Sequence, residues 1–259
     1  MKIASLNLRG WGGSAKRRRL SSFIQREAFD ICLFQEMKKS SFEEYSIHNL
    51  WGHQDVEWVA QDASGLSGGM LIIWNSATFK FLNSFSGYGF LGIKVEMEGV
   101  LLYIVNIYSP CQIAGKIRLW EELLSFKQQS VEGEWCVGGD FNAVMLASER
   151  HGSSAVGRQK ERILFNRFME DMEVIDVSVL GKKFSLFSGD GKSMSRIDRF
   201  LLSEGFINSQ GISGQWIGDR DISDHCPIWF IDSSNNWGPK PFRFINGWLE
   251  HPGFFPFVE

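Results

Sequence analysis

Several apolar runs in this chain stop on a residue that can hold a cation, carry a proton or contact an anion. KIASLN ends at Asn7, DICLFQE at Glu36, LLYIVNIY at Tyr108 and WCVGGD at Asp140, with Asn142 two residues further on. SRID sets Asp198 beside Phe200, Leu201 and Leu202, and Ser223, Asp224 and His225 stand just before the run Pro227–Phe230. Were those run ends to converge, one cleft would hold carboxylates, amides, a phenol and an imidazole. That set suits phosphodiester hydrolysis. Carboxylate and amide oxygens favour a hard cation, so Mg²⁺ or Mn²⁺ is the expected ion. Such an ion offsets the charge that grows on a phosphate in its transition state. An imidazole can donate to a phosphoryl oxygen while a carboxylate fixes its tautomer. An aspartate beside a water can take or steer its proton. The cysteines and histidines make no zinc-like spacing, and there is no GxxxxGK[ST] loop for nucleotide phosphates.

Each of these residues also has a plain structural reading. Asn7 alone is a turn residue, Glu36 a surface acid, and Tyr108 before Ser109–Pro110 a core aromatic that ends a strand. Asp140 after Gly138–Gly139 is a turn acid, Asp198 with Arg196 and Arg199 a surface ion pair, and His225 a packed imidazole. The functional reading rests on their joint order.

The elements that must position them are mostly strands. Short apolar runs over 2–8, 30–35, 56–61, 69–74, 79–86, 90–97, 100–107, 135–139, 183–188, 196–203, 211–217 and 226–231 read as buried strands. Three stretches have helical spacing. Ser14 is placed to cap a helix that turns Leu20, Phe23, Ile24 and Ala28 inward. Ile117, Trp120, Leu123 and Leu124 mark a second helix, and Leu164, Phe165, Phe168 and Met172 a third. Many strands with few helices imply an α/β sandwich, sheets face to face and helices outside. SSNNWGPKP, from Ser233 to Pro241, breaks the pattern. One domain is therefore expected over 1–232, with a linker-like tail over 233–259.

Bulk properties bound the partners. The 259 residues carry a formal net charge of −3, 44% hydrophobic and 22% charged residues, which is ordinary globular composition. A dedicated nucleic-acid binder is often basic, but an enzyme acting on DNA needs only a local positive field. Cys32, Cys111, Cys136 and Cys226 form no CxxC pair and read as buried free thiols of a reducing compartment. The start is no signal peptide, and the longest apolar run, Gly99–Tyr108, is too short to span a bilayer. A protein of the cytoplasm or nucleus, not secreted and not in a membrane, is expected.

In chain order, SLN at Ser5–Asn7, QE at Gln35–Glu36, NIYSP at Asn106–Pro110, GDFN at Gly139–Asn142, SRIDRFL at Ser195–Leu201 and SDHCPI at Ser223–Ile228 resemble the endonuclease/exonuclease/phosphatase superfamily. SGGM at Ser67–Met70, NIYSPC, SRIDRFLLS and SDHCPI are similar to the endonuclease domain of plant LINE-type non-LTR retrotransposons. WGPKPFRFINGWLEHPGF at Trp237–Phe254 resembles the segment leading to their reverse transcriptase, a domain expected to be missing here. The resemblance implies the four-layer α/β sandwich of deoxyribonuclease I, with two packed, mainly antiparallel sheets flanked by helices. It implies a Mg²⁺-dependent monomer that nicks one DNA strand by direct attack of water and leaves a 3′-hydroxyl.

Residue by residue, the resemblance makes Glu36 the main metal ligand, with Asn7 close by and Asp224 on the metal side. Asp140 would activate or orient the water, and Asn142 would hold phosphate or water. His225 would contact the scissile phosphate, oriented by Asp198, and Tyr108 the phosphate or leaving oxygen. Arg150 falls where such endonucleases contact DNA, and Ser185 where many have a threonine near the phosphate. Three departures stand out. Arg9 replaces a metal-binding aspartate of the apurinic-site repair enzymes, Cys111 replaces their DNA-contacting asparagine, and Phe184–Phe187 replaces the commoner FTW pattern.

Beyond the cleft, Lys16–Arg19 is a solvated helix face or a phosphate contact. Lys182, Lys183, Lys192, Arg196 and Arg199 are the expected backbone-tracking surface, and the loop Phe187–Ser195 could lie in a groove. Two other functions remain open: a phosphatase or lipid phosphodiesterase on the same fold, and an inactive retrotransposon relic that binds nucleic acid.

Overall fold

A computed structural model describes residues 1–39, 41–64, 67–152 and 158–232. The expected tail over 233–259 lies outside the described residues, as do Trp237 and Trp248.

Along the chain run β1 (Lys2–Asn7), α1 (Ser14–Glu27), β2 (Ile31–Gln35), α2 (Glu44–Trp51), β3 (Val56–Ser64), β4 (Ser67–Asn75), β5 (Lys80–Gly87), β6 (Phe90–Met97), β7 (Val100–Tyr108), α3 (Ile113–Gln129) and β8 (Glu134–Asp140). After a single 3₁₀ turn at Ala147–Glu149 come β9 (Arg150–His151), α4 (Gln159–Asp171), β10 (Val174–Asp176), β11 (Val179–Gly181), β12 (Leu186–Phe187), β13 (Met194–Ser195), β14 (Asp198–Ser203), α5 (Glu204–Gln210), β15 (Ile212–Ile217) and β16 (Ile228–Asp232). A seven-stranded sheet has the order β11-β15-β16-β1-β2-β4-β3, and a six-stranded sheet the order β10-β14-β8-β7-β6-β5. Most neighbours are antiparallel; the parallel pairs are β1–β2, β7–β8 and β11–β15. The α/β sandwich with mainly antiparallel sheets expected from the sequence is the architecture found.

Strand side chains alternate between faces, and here the alternation sorts two kinds of core. Ile3 of β1, Leu33 of β2, Ile104 of β7, Cys136 of β8 and Phe200 of β14 point into the core between the sheets. Ala4, Leu6 and Cys32 pack outward under α1 and α2 with Leu20, Ile24, Ile47 and Trp51. Val105, Ile107, Val137 and Leu201 pack outward under α3 and α4 with Trp120, Leu123, Phe165 and Phe168. Burying each of the Val, Leu, Ile and Phe side chains contributes about 1.5–3 kcal/mol. By the same parity Ser5, Asn7, Gln35, Asn106, Tyr108, Asp140 and Asp198 belong to the faces between the sheets. Polar residues at those positions cannot be ordinary core; they must meet one another.

Details depart from the sequence reading. Gly13, not Ser14, is the N-cap of α1, and no side chain caps that end. Ala28 sits beyond the helix as its left-handed C-cap, with φ 50°, and does not point inward. Helix α2 falls where the sequence shows no helical stretch, and it buries Ile47, Leu50 and Trp51. Of the small sheet β12-β13-β9, the sequence shows β12 within the run 183–188 and places β13 in the loop Phe187–Ser195, with nothing to mark β9. No helix among the described residues is long and apolar enough to cross a membrane.

Candidate active site

The ends of β1 and β2 in one sheet and of β7, β8 and β14 in the other meet at a single edge of the sandwich. Register makes this exact to the residue: Asn7 pairs with Gln35, Tyr108 with Asp140, and Asp140 with Asp198. Asn7 then crosses between the sheets, donating from Nδ2 to Asp140 Oδ2 at 3.0 Å. One layer deeper, Gln35 Nε2 donates to Ser5 Oγ at 2.9 Å and to Asn106 Oδ1 at 2.6 Å. Asn106 Nδ2 donates to the carbonyls of Phe34 and Leu71 at 2.9 and 3.2 Å. Partly satisfied polar groups are costly in a core, whereas a connected network specifies one geometry. This network locks the two sheets together directly beneath the cleft. Gln35 and Asn106 stood inside sequence motifs but had been given no role.

Asp140 is buried and braced on both oxygens, because the backbone N–H of Asn142 donates to Oδ1 at 2.9 Å. Asn142 Nδ2 in turn donates to the Ser109 carbonyl at 2.7 Å, and its φ of 48° lies in the left-handed region that asparagine tolerates. Gly139 explains the preceding position. At φ 142° a Cβ there would stand 2.1 Å from the Ile107 carbonyl oxygen, so only glycine lets β8 approach β7 here. Lys116, wholly buried on α3, holds this loop from behind. Its Nζ donates to the Asn142 carbonyl at 2.6 Å and pairs with Glu161 at 2.8 Å.

His225 Nδ1 faces both oxygens of Asp198, at 3.0 and 2.9 Å, and its Nε2 lies 4.0 Å from Asp140 Oδ2. Burial alone would lower the imidazolium pKa; Asp198, Asp140 and Asp224 overcome this and push it up to about 9. Burial and the neighbouring Asp198 raise the Asp140 carboxyl, opposed by His225 and by its two hydrogen-bond donors. Adjacent groups are thus set as a protonated donor and a carboxyl made more basic than usual, a pairing typical of acid–base sites. Ser185 was expected near the phosphate. It is instead fully buried behind Asp198: its Oγ donates to Asp198 Oδ2 at 2.6 Å and accepts from the backbone N–H groups of Ile197 and Asp198.

Alternation along β2 would send Glu36 to the helix side, but its left-handed φ of 54° turns the chain. Such backbone strain in a non-glycine residue persists only where the surroundings impose it. Glu36 is 5% exposed. Its Oε2 makes no hydrogen bond and lies 3.4 Å from Arg9 Nε, while Oε1 lies 3.4 Å from Lys38 Nζ. Asp224 Oδ1 accepts from the same Arg9 Nε at 3.0 Å. The half-buried Tyr108 hydroxyl has its pKa raised by burial and then by Glu36 and Asp140, so the phenol keeps its proton.

Two places here have donors for a cation. Asp140, Asp198 and His225 bring three possible ligand atoms within 4.8 Å of one another. Asp198 and Nδ1 are already bonded to each other, however, leaving no room for an ion between them. Glu36 is the better fit: a buried carboxylate with an orphaned oxygen, and Asp224 joined to it through one shared partner. Hard oxygen donors of this kind suit Mg²⁺ or Mn²⁺. Asn7 is less free than the sequence implied, since its Oδ1 accepts the backbone N–H of Arg9 at 3.0 Å.

The arginines divide. Arg196 was expected on the DNA-facing surface, but it is buried. Its Nη1 and Nη2 are held by Glu149 and Asp176 at 2.9 and 2.6 Å, and Arg199 binds the same two carboxylates at 3.0 Å each. Alternation along β14 puts Arg199 on the face opposite Asp198, and both arginines pair with Glu149 and Asp176 instead. Arg150 on β9 is half-buried with Nε unpartnered; burial and the charges of Arg158 and Arg162 lower its pKa, the mark of a locally positive field.

A family defined as endonuclease/exonuclease/phosphatase matches residues 4–225, which includes Asn7, Glu36, Asp140, Asp198 and His225. The chain belongs to the endonuclease/exonuclease/phosphatase family. Solved structures share the fold of this family member. An AP endonuclease from Archaeoglobus fulgidus is 16% identical, with TM-score 0.71, covering 90% of this chain and 99% of its own. A 3′ phosphatase from Neisseria bound to product DNA hairpin gives the same identity, TM-score and coverage. The endonuclease domain of TRAS1, a telomere-specific non-LTR retrotransposon, is 15% identical, with TM-score 0.66, covering 88% of this chain and 96% of its own.

Proposed function

We propose that this chain is a Mg²⁺- or Mn²⁺-dependent DNA endonuclease, derived from a plant LINE-type retrotransposon, that nicks one strand and leaves a 3′-hydroxyl. The observation that carries the reading is the position of Asp140, braced by Asn7 and the Asn142 backbone and 4.0 Å from His225 Nε2. A phosphate on this cleft meets a base, a protonated imidazole and the carboxylates of Glu36 and Asp224 together. Glu36 and Asp224 would hold a divalent ion, which would supply positive charge against that growing on the phosphoryl oxygens. Asp140 orients the attacking water and takes its proton; the P–O3′ bond breaks, leaving a 5′-phosphate and a 3′-oxygen that takes up a proton from solvent. His225, protonated on both nitrogens, donates from Nε2 to a phosphoryl oxygen, while Asp198 accepts from Nδ1 and fixes the ring's orientation. Tyr108 donates to the phosphate or the leaving oxygen. Arg150 contacts the DNA backbone. The chain acts as a monomer on DNA in the nucleus or cytoplasm, and in a full element a reverse transcriptase would extend the 3′-hydroxyl.

Support for DNA over other phosphoesters comes from the retrotransposon-like motifs and from the likeness to the TRAS1 domain and to a DNA-bound Neisseria enzyme. The test is conversion of supercoiled plasmid to open circle by purified protein with Mg²⁺, stopped by chelator and by Glu36→Ala. A parallel incubation with a 3′-phosphorylated duplex, inositol phosphates and sphingomyelin separates a nuclease from a phosphatase or lipid phosphodiesterase. Tight divalent-ion binding with no hydrolysis of any substrate would mark a nucleic-acid-binding relic and overturn the proposal.

A further inference from the structure

Arg9 sits where a cation belongs. Its Nε is 3.0 Å from Asp224 Oδ1 and 3.4 Å from Glu36 Oε2, so one nitrogen serves both carboxylates. The placement is built into the backbone. Arg9 has φ 53°, its N–H is held by Asn7 Oδ1 at 3.0 Å, and the following N–H groups of Gly10 and Trp11 donate to the carbonyls of Glu36 and Met37 at 2.6 and 2.9 Å. The loop carrying Arg9 is therefore stitched to the strand end carrying Glu36. Two lysines add to the charge. Lys38 Nζ lies 3.4 Å from Glu36 Oε1. Lys16 donates to the Leu8 carbonyl, close enough for its charge to act on Asp224 and Glu36. Yet the Arg9 side chain is 47% exposed, so the guanidinium has a path to solvent.

We infer that Arg9 is an intrinsic competitor for the metal position: its guanidinium neutralises Glu36 and Asp224 until a divalent ion displaces it. Two carboxylates cannot give their full field to a Mg²⁺ or Mn²⁺ ion while sharing a guanidinium, because the ion must first break that contact. Removing the competitor therefore tightens metal binding. This is opposite to the result for a residue that supports the metal, whose loss weakens binding. It also makes the displaced guanidinium available to a phosphate that arrives with the ion. The inference rests on the reading that Glu36 and Asp224 hold the metal, and the experiment keeps the two apart.

The experiment is calorimetric titration of Mn²⁺ into the purified, DNA-free chain and its variants, with thermal unfolding as a check on folding. Arg9→Ala and Arg9→Gln are both used, so that one failing to fold leaves the other. Each is expected to bind Mn²⁺ about 10-fold more tightly than wild type, because a unit positive charge about 3–4 Å from the carboxylates is gone. Lys38→Gln removes a charge equally near Glu36 without bridging to Asp224, and is expected to give a clearly smaller gain. Unchanged or weaker binding by both Arg9 variants overturns the inference while leaving the metal site intact. An equal gain from Lys38→Gln also overturns it, since a diffuse field and not a bridge would then be responsible. Glu36→Gln is expected to abolish binding; if it binds as wild type does, the metal reading itself falls, and this inference with it.

Discussion

Ser185 Oγ lies 2.6 Å from Asp198 Oδ2, the same oxygen that faces His225 Nδ1 at 2.9 Å. A buried hydroxyl thus sets the carboxylate that sets the imidazole. Asp198→Asn should lower nicking by about 10²–10⁴-fold. It should also bring the His225 pKa, measured by NMR on the metal-free protein, down from about 9, because the carboxylate that raises it is gone. Ser185→Ala should lower the rate by a smaller factor, about 10–100-fold, and leave the histidine pKa raised. Equal pKa values for wild type and Asp198→Asn would contradict this arrangement.

Glu149 makes the arginine cluster acid-sensitive. Burial alone would raise its carboxyl pKa, but Arg199 and Arg196, aided by the Met145 N–H, hold it below the usual carboxylate range. A depressed folded pKa gives stability that is present above the unfolded value of about 4.5 and is lost as pH falls through the folded value. Wild type should therefore lose more Tm than Glu149→Gln between neutral pH and pH ~3.5. At neutral pH, Glu149→Gln should be destabilised by about 3–5 kcal/mol, since two buried guanidinium groups lose a partner. Parallel Tm-against-pH curves for the two proteins would show that the pair contributes nothing.

Lys116 offers a way to separate support from stability. Lys116→Met leaves buried Glu161 with only the half-exposed Arg158, 3.7 Å away, and should cost about 3 kcal/mol in urea unfolding. Replacing both, as Lys116→Met with Glu161→Leu, removes the poorly paired charge and should recover most of that stability. Nicking should stay low in the double variant, because the Asn142 carbonyl still lacks its donor. Full recovery of activity along with stability would mean that Lys116 only packs.

Much of this is legible in the sequence, for a definite reason. A short apolar run closed by a polar residue, as at Asn7, Tyr108 and Asp140, marks a buried strand whose last side chain must be paired. The long strands follow from such runs, and α1, α3 and α4 from apolar residues three and four apart. The two-residue strands β9, β12 and β13 are too short to show a period, and α2 has too little apolar spacing on its own. Ser185 and Arg196 were misplaced because the sequence does not say which face of a local bend a side chain takes. Parity along β14 separates Asp198 from Arg199, but it can be applied only once the sheets are known to face each other. Lys116 gave no signal, since a lysine on a helix reads as solvated until a buried glutamate is found beside it.

The most direct test of the account is cleavage of an end-labelled DNA duplex by wild type and by His225→Ala, with Mg²⁺, followed by extension of the nicked strand with a polymerase. The account predicts nicks in wild type that extend without prior treatment, because each bears a 3′-hydroxyl, and a loss of cleavage of about 10²–10³-fold in His225→Ala. Equal cleavage by both proteins, or nicks that extend only after a 3′-phosphate has been removed, would contradict it.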